Sequence, residues 1–328
     1  ANVLSLLLSD RASGLFQRAV VQCAGGRTTE PAAGAAAAAA LLDDLLAMEG
    51  ATAAGLSAGE IADYLYARSA EDLVRSTVNT PAIFADGQVL PSAGFGLFDS
   101  GDFPNKVPLL LGTNRDEYKL YTNPLGYNVI PDASPELNAA VGRYVSDMWR
   151  VSGADAIATQ LDALPDFPPL YVYRFNWGSP DADGNSPLPV PFGATGGAHH
   201  GAELPFMFGN WDSFLIDEYR ELLYTPDNEA SRQAMAALMV DYWANFIHNG
   251  DPNGAGRPEW PSWDSAPGAV KAVTLDVDYA TDEARVGLDT EAWTVMSVLP
   301  ICAVIVLTND TSTTSVVSAR ESSSQRLR

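Results

Sequence analysis

Residues 107–114, VPLLLGTN, form an unbroken apolar run that ends in Gly-Thr-Asn. A strand with one wet face alternates apolar and polar side chains, so an unbroken run is what a strand covered on both faces requires. Its Gly-Thr-Asn end predicts a loop at the strand's carboxyl terminus. LYVYRFNW (170–177) is a second strand, β-branched and aromatic. Ala19-Val20-Val21 is a short buried strand, and AVTLDVD is a last one. Helical stretches lie between them. NVLSLLLSD spaces its apolar residues for a helix, and AAGAAAAAALLDDLLAMEG is a strong helix by propensity, closed by Gly50. Two shorter helices cover residues 58–76, and EASRQAMAALMVDYWANFIHNG is a long amphipathic helix stopped by Gly250 and Pro252. Strands alternating with helices predict an α/β fold with a mainly parallel sheet flanked by helices. Sites in such sheets sit in loops at the strands' carboxyl ends. The Gly-, Pro- and Asp-rich loop between Trp177 and His199 is long enough for a functional excursion.

The composition, 47% hydrophobic and 18% charged over 328 residues, excludes global disorder and allows a sizeable core. The net charge is -22, with Lys106, Lys119 and Lys271 the only lysines. Such a surface repels phosphate backbones and anionic membranes, so nucleic acid is not an expected partner. Cys23 and Cys302 are far apart and no C-x2-C spacing exists, so no metal is expected. The opening ANVLSLLLSD lacks the positive n-region of a signal peptide, and its helix is under way at residue 2, which predicts a start further upstream. No run reads as long enough for a membrane span; the longest candidate, 295–307, is interrupted by Ser297 and Pro300 and reads as a buried strand or irregular tail. After Trp293 the sequence turns to Ser, Thr and Val, and Arg320, Arg326 and Arg328 face only Asp310 and Glu321. We therefore expect one domain over 1–293 and an atypical tail over 294–328, either disordered or frame-shifted.

One stretch offers a nucleophile by its letters. Gly55-Leu56-Ser57-Ala58-Gly59 matches the G-x-S-x-G elbow that lifts a catalytic serine above a sheet. An elbow needs a buried strand before it, and AMEGATAAGL is small and loop-like. Ser57 and Glu60 instead spell S-x-x-E ahead of helical EIADYLYA, a capping box. Ser57 is expected to cap a helix.

GAHHGAELPFMFGNW (197–211) resembles the histidine motif of type-B carboxylesterases, the family that includes cholinesterases: H-G-x-E, a hydrophobic run, then F-G. LLLGTNRDEYKLYT (109–122) is similar to that family's strand and loop ending in a glutamate, here Glu117. SDRASGLFQRAVVQCAGG resembles the segment after the nucleophile helix, with Gln22-Cys23-Ala24-Gly25 in place of Q-S-G. DYWANFIHNGDPNGAGRPEWPSWD is similar to the C-terminal helix and its Gly-Asp-Pro-Asn turn. The resemblance runs over residues 1–293. It implies an α/β-hydrolase fold, incomplete at the N-terminus, and a carboxylic-ester hydrolase working through a Ser-Glu-His triad and an acyl-enzyme. Its substrate would be a small-molecule ester in an aromatic-lined gorge, with no metal or organic cofactor. The resemblance puts the serine in G-E-S-A-G just before Ala1, which would leave this chain inactive alone.

In that scheme His200 is the base, Glu117 orients it, and Glu203 and Cys23 lie behind them. Each has a bland rival. His200 could sit in a turn, and His199 is an alternative base that lacks the following glycine. Glu117, beside Arg115 and Asp116, could belong to a surface ion-pair cluster, and Glu203 could be surface. Cys23 reads as a small buried residue, and His248 as structural at a helix end. Tyr118 stands where many relatives have Gly, which narrows the site. The competing readings are a cholinesterase-like binding or adhesion protein without catalysis, and a gene fragment without function. Compartment and oligomeric state have no signal here.

Overall fold

A computed structural model describes residues 1–25, 28–76, 83–123, 127–212 and 217–294. The expected tail, from residue 295 on, and the 295–307 run lie outside the described residues. The chain divides into two compact units.

The first gathers Ala1–Gly14, Arg27–Leu97 and Asp102–Asn105 and is helical where described. Helix Asn2–Leu8 buries Leu4, Leu7 and Leu8, the i, i+3, i+4 stripe that puts three leucines on one face. Asn105 Nδ2 donates to the Leu6 carbonyl at 3.0 Å, and Ser9 Oγ to the Val89 carbonyl at 2.6 Å. Helix Pro31–Met48 begins with proline, whose missing N–H would be unpaired there in any case. It buries Leu42, Leu45 and Leu46 and packs on helix Ala70–Ser76. By length and composition alone this helix, with mean hydropathy 1.4 over 18 residues, is also long and apolar enough to cross a membrane. Alanine is weakly apolar and Asp43-Asp44 interrupts the run, so the helix is marginal by that measure. Before helix Ala58–Tyr66, the Ser57 hydroxyl accepts from the Glu60 N–H, and Glu60 Oε2 accepts from the Ser57 N–H at 2.8 Å. The capping box is formed, and Ser57 is exposed.

The second unit, Leu15–Gly26, Phe98–Gly101 and Lys106–Arg328, holds a five-stranded sheet. Its strands are β1 (Ala19–Gln22), β2 (Leu109–Asn114), β3 (Leu170–Phe175), β4 (Ala272–Val277) and β5 (Ala284–Asp289), side by side in that order. β1 to β4 are parallel, with Val20 opposite Leu110, Leu110 opposite Tyr171, and Tyr173 opposite Val273. β5 returns antiparallel on β4. Every residue of β2 and β3 is buried. Leu110, Tyr171, Tyr173 and Phe175 face a core with Met235, Met239, Tyr242, Trp243 and Phe246 of helix Glu229–Asn249. Leu109, Leu111 and Val172, at the alternate positions, are buried outside that cluster, so both faces are covered. Helices Pro135–Arg150 and Ala156–Asp162 contact β2 and β3 respectively, and Gly250 ends the long helix in a left-handed conformation, φ +79°.

Candidate active site

β2 ends at Asn114, and the next turn carries Arg115, Asp116 and Glu117 over the sheet's carboxyl edge. The backbone fixes this turn to the loop before His200. The Asp116 N–H donates to the Ala198 carbonyl at 3.0 Å and the His200 N–H to the Glu117 carbonyl at 3.2 Å. Asp116 is buried, and although burial opposes its charge, the Lys119 ammonium at 3.0 Å and the Ser179 hydroxyl hold its pKa below the ordinary value. Gly197, at φ +53°, passes so close that a Cβ there would lie 2.1 Å from Asp116 Oδ2, so only glycine fits.

These straps set Glu117 and His200 in register. Glu117 Oε2 lies 2.7 Å from His200 Nδ1, and Glu117 Oε1 accepts the Asn114 N–H at 2.8 Å. Glu117 is fully buried, while a third of the His200 side chain is exposed. The glycine after His200, Gly201, turns with φ +81°, a left-handed conformation that favours glycine. Burial would lower the His200 pKa, but the hydrogen bond to Glu117 and the charges of Glu117 and Glu203 outweigh it and raise the value above the ordinary one. His199 is the opposite case: it is buried, its Nδ1 lies 3.2 Å from the Gly197 carbonyl, and burial pushes its pKa down. His248 is exposed in the last turn of its helix.

Behind the pair sit two further carboxylate and thiol groups. Glu203, only 1% exposed, accepts from Asn114 Nδ2 at 2.5 Å and from Cys23 Sγ at 3.3 Å. Burial first, then the charge of Glu117, raises the Glu203 pKa. Cys23, at φ +50°, is buried at the end of β1 with its N–H on the Gly112 carbonyl at 2.9 Å. Burial and the charges of Glu117 and Glu203 push its thiol well above the ordinary range, so it stays protonated and is a poor nucleophile at neutral pH. The surface readings of Glu117 and Glu203 are therefore excluded.

Two parts of the site escaped sequence reasoning. Asn114 joins the elements: its backbone serves Glu117, and its amide reaches both Glu203 and the His199 carbonyl at 2.7 Å. Its signal was its place at the end of an apolar run. Trp149, from helix Pro135–Arg150, has its ring 4.9 Å from the His200 ring and its indole N–H on the Ala24 carbonyl at 3.0 Å. Tyr121 stacks on Tyr118 at 5.0 Å, Tyr127 at 5.3 Å and Trp149 at 6.2 Å, giving the imidazole an aromatic surround.

The chain is similar to known proteins. The profile of the carboxylesterase family matches residues 119–288. Carboxylesterase 3 of Homo sapiens is 26% identical over 307 residues, covering 80% of this chain and 51% of that protein. Para-nitrobenzyl esterase of Bacillus subtilis (strain 168) is 26% identical over 300 residues, covering 80% and 54%. The chain thus spans about half the length of the curated relatives it matches. Among solved structures, a PNB esterase superposes with TM-score 0.63 at 22% identity over 91% of this chain and 59% of its own. A Geobacillus stearothermophilus carboxylesterase superposes with TM-score 0.58 at 24% identity, covering 88% and 58%. Both likenesses are of fold, and that fold is the α/β-hydrolase one, with its mostly parallel sheet flanked by helices. With the family profile matching more than half of its residues, the chain belongs to the type-B carboxylesterase family.

Proposed function

We propose that this chain carries the acid and base of a serine-dependent carboxylic-ester hydrolase. The observation that supports it most is the 2.7 Å contact between His200 Nδ1 and a fully buried Glu117. A neutral imidazole with its Nδ1–H held by a carboxylate presents its Nε2 lone pair outward. It takes the proton of a serine hydroxyl as that oxygen attacks the ester carbonyl, and later returns it to the leaving alcohol. Glu117 fixes the tautomer and stabilises the imidazolium. Its own orientation is set by the Asn114 N–H. The acyl-enzyme is then hydrolysed by water, with His200 as base again.

The serine in this scheme is not Ser57, whose hydroxyl is engaged in the capping box on an exposed helix. We place it outside residues 1–328, in keeping with relatives about twice as long. The chain alone is then inactive. The substrate class is a small uncharged ester, supported by the aromatic side chains around His200 and by the relatives' names. Labelling with a fluorophosphonate, which modifies only activated serines, tests the assignment. The longer protein should carry its adduct on a serine outside residues 1–328, and the 328-residue chain should stay unlabelled. An adduct on Ser57 would overturn the reading.

A further inference from the structure

Beneath His200 lie two groups, Cys23 and Glu203, that the proposed ester hydrolysis leaves without a direct task. A ligating atom from each of Cys23, Glu117 and His200 falls within 4.8 Å of the other two. Glu203 Oε1 stands 3.3 Å from Cys23 Sγ, adding a fourth donor. These come from the end of β1, the turn after β2 and the loop of His200, so the sheet itself holds them together. One buried polar atom beside them, Asn114 Oδ1, on the amide whose nitrogen contacts Glu203, has no hydrogen-bond partner. A thiol, an imidazole, two carboxylates and an idle amide oxygen are more than orienting one histidine requires.

We propose that Cys23, Glu117 and His200, with Glu203 alongside, bind a soft divalent metal ion of the zinc type. Mixed sulfur, nitrogen and carboxylate donors suit zinc and disfavour magnesium and calcium, which take oxygen ligands. Tetrahedral zinc with Zn–S of about 2.3 Å and Zn–N of about 2.0 Å sets neighbouring donors roughly 3.5 Å apart. His200 Nδ1 and Glu117 Oε2, 2.7 Å apart, therefore have to separate to admit the ion, and partly exposed His200 is the member with room to move. On binding, the Cys23 S–H proton leaves to the buffer as the metal–sulfur bond forms. If Nδ1 ligates, its proton passes to Nε2; no electrons are transferred. Binding does not depend on the hydrolase reading. Its consequence does: an ion on the imidazole removes the base, so the site would be inhibitory.

Cadmium chloride is the probe, because a cadmium–thiolate bond has its own ultraviolet charge-transfer absorption. The 328-residue chain carrying Cys302→Ser keeps Cys23 as its single thiol. Titration should give that absorption with saturation at one ion per chain, displaced by zinc but not by magnesium. Cys23→Ser should abolish it, Glu203→Gln should weaken binding by about 10–100-fold, and His200→Asn by more. No absorption in the Cys302→Ser chain would overturn the proposal, and that arm leaves the four proposed donors unaltered. Absorption unchanged by His200→Asn would overturn it too, by showing a thiol acting alone.

Discussion

At the residue scale the account turns on how one carboxylate treats one imidazole. Glu117 raises the His200 pKa against the effect of burial, whereas at His199 burial outweighs the raising effects of the Gly197 carbonyl and of the Asp116 and Glu117 charges. Histidine ring resonances followed by NMR against pH should therefore show His200 titrating above the ordinary value of about 6.5 and His199 below it. Glu117→Gln removes the leading favourable contribution and leaves burial, so the His200 midpoint should fall below that of the unaltered chain. A midpoint unmoved by Glu117→Gln would contradict the pairing. The linkage has a definite sign. A raised folded-state pKa makes the ion pair contribute stability below the unfolded-state value of about 6.5, and that contribution is lost as pH rises through the higher folded-state value. Sequence was enough to single out Glu117 and His200, since both sit in short local motifs. Asn114 and Trp149 were not legible, because what matters about them is a contact made only once distant segments pack.

At the scale of elements, the structure separates patterns that carry their own signal from those that borrow it. Ser57 and Glu60 formed the capping box their spacing predicts. Ser57→Ala should cost about 1 kcal/mol in urea unfolding. A change well below a few tenths would show that the exposed box contributes nothing. β2 and β3 were legible because burial on both faces writes an unbroken apolar run. β5 was missed: ARVGLD is half-exposed at the sheet's edge and reads as a loop. Helix Pro135–Arg150 was missed for a different reason. Its buried positions are Gly142, Ser146, Asp147 and Arg150, so no apolar stripe marks its inner face. Arg150 replaces apolar packing with charge. Its guanidinium meets Asp155 at 3.1 Å and Asp289 at 2.8 Å and lies over the Trp293 ring at 4.5 Å, while the Trp293 N–H donates to Asp155 at 2.7 Å. Removing the guanidinium leaves the buried Asp155 carboxylate uncompensated, so Arg150→Met should destabilise by about 3–5 kcal/mol. A loss under about 1 kcal/mol in chemical denaturation would mean that water already screens the cluster.

For the molecule as a whole, the α/β-hydrolase fold was legible from the order of strands, helices and the Glu117 and His200 motifs, and the family profile bears the lineage out. The division into two units was not legible, because it depends on which helices pack together rather than on any break in composition. The central claim is functional: His200, oriented by Glu117, is the base for a serine that is not Ser57. Its most direct test is p-nitrophenyl acetate hydrolysis by a protein that carries this chain together with the proposed serine, comparing the unaltered sequence with His200→Asn and Ser57→Ala. The account predicts that His200→Asn lowers kcat by at least about 10³-fold with little change in KM, and that Ser57→Ala leaves both unchanged. Wild-type turnover in His200→Asn, or loss of turnover in folded Ser57→Ala, would contradict it.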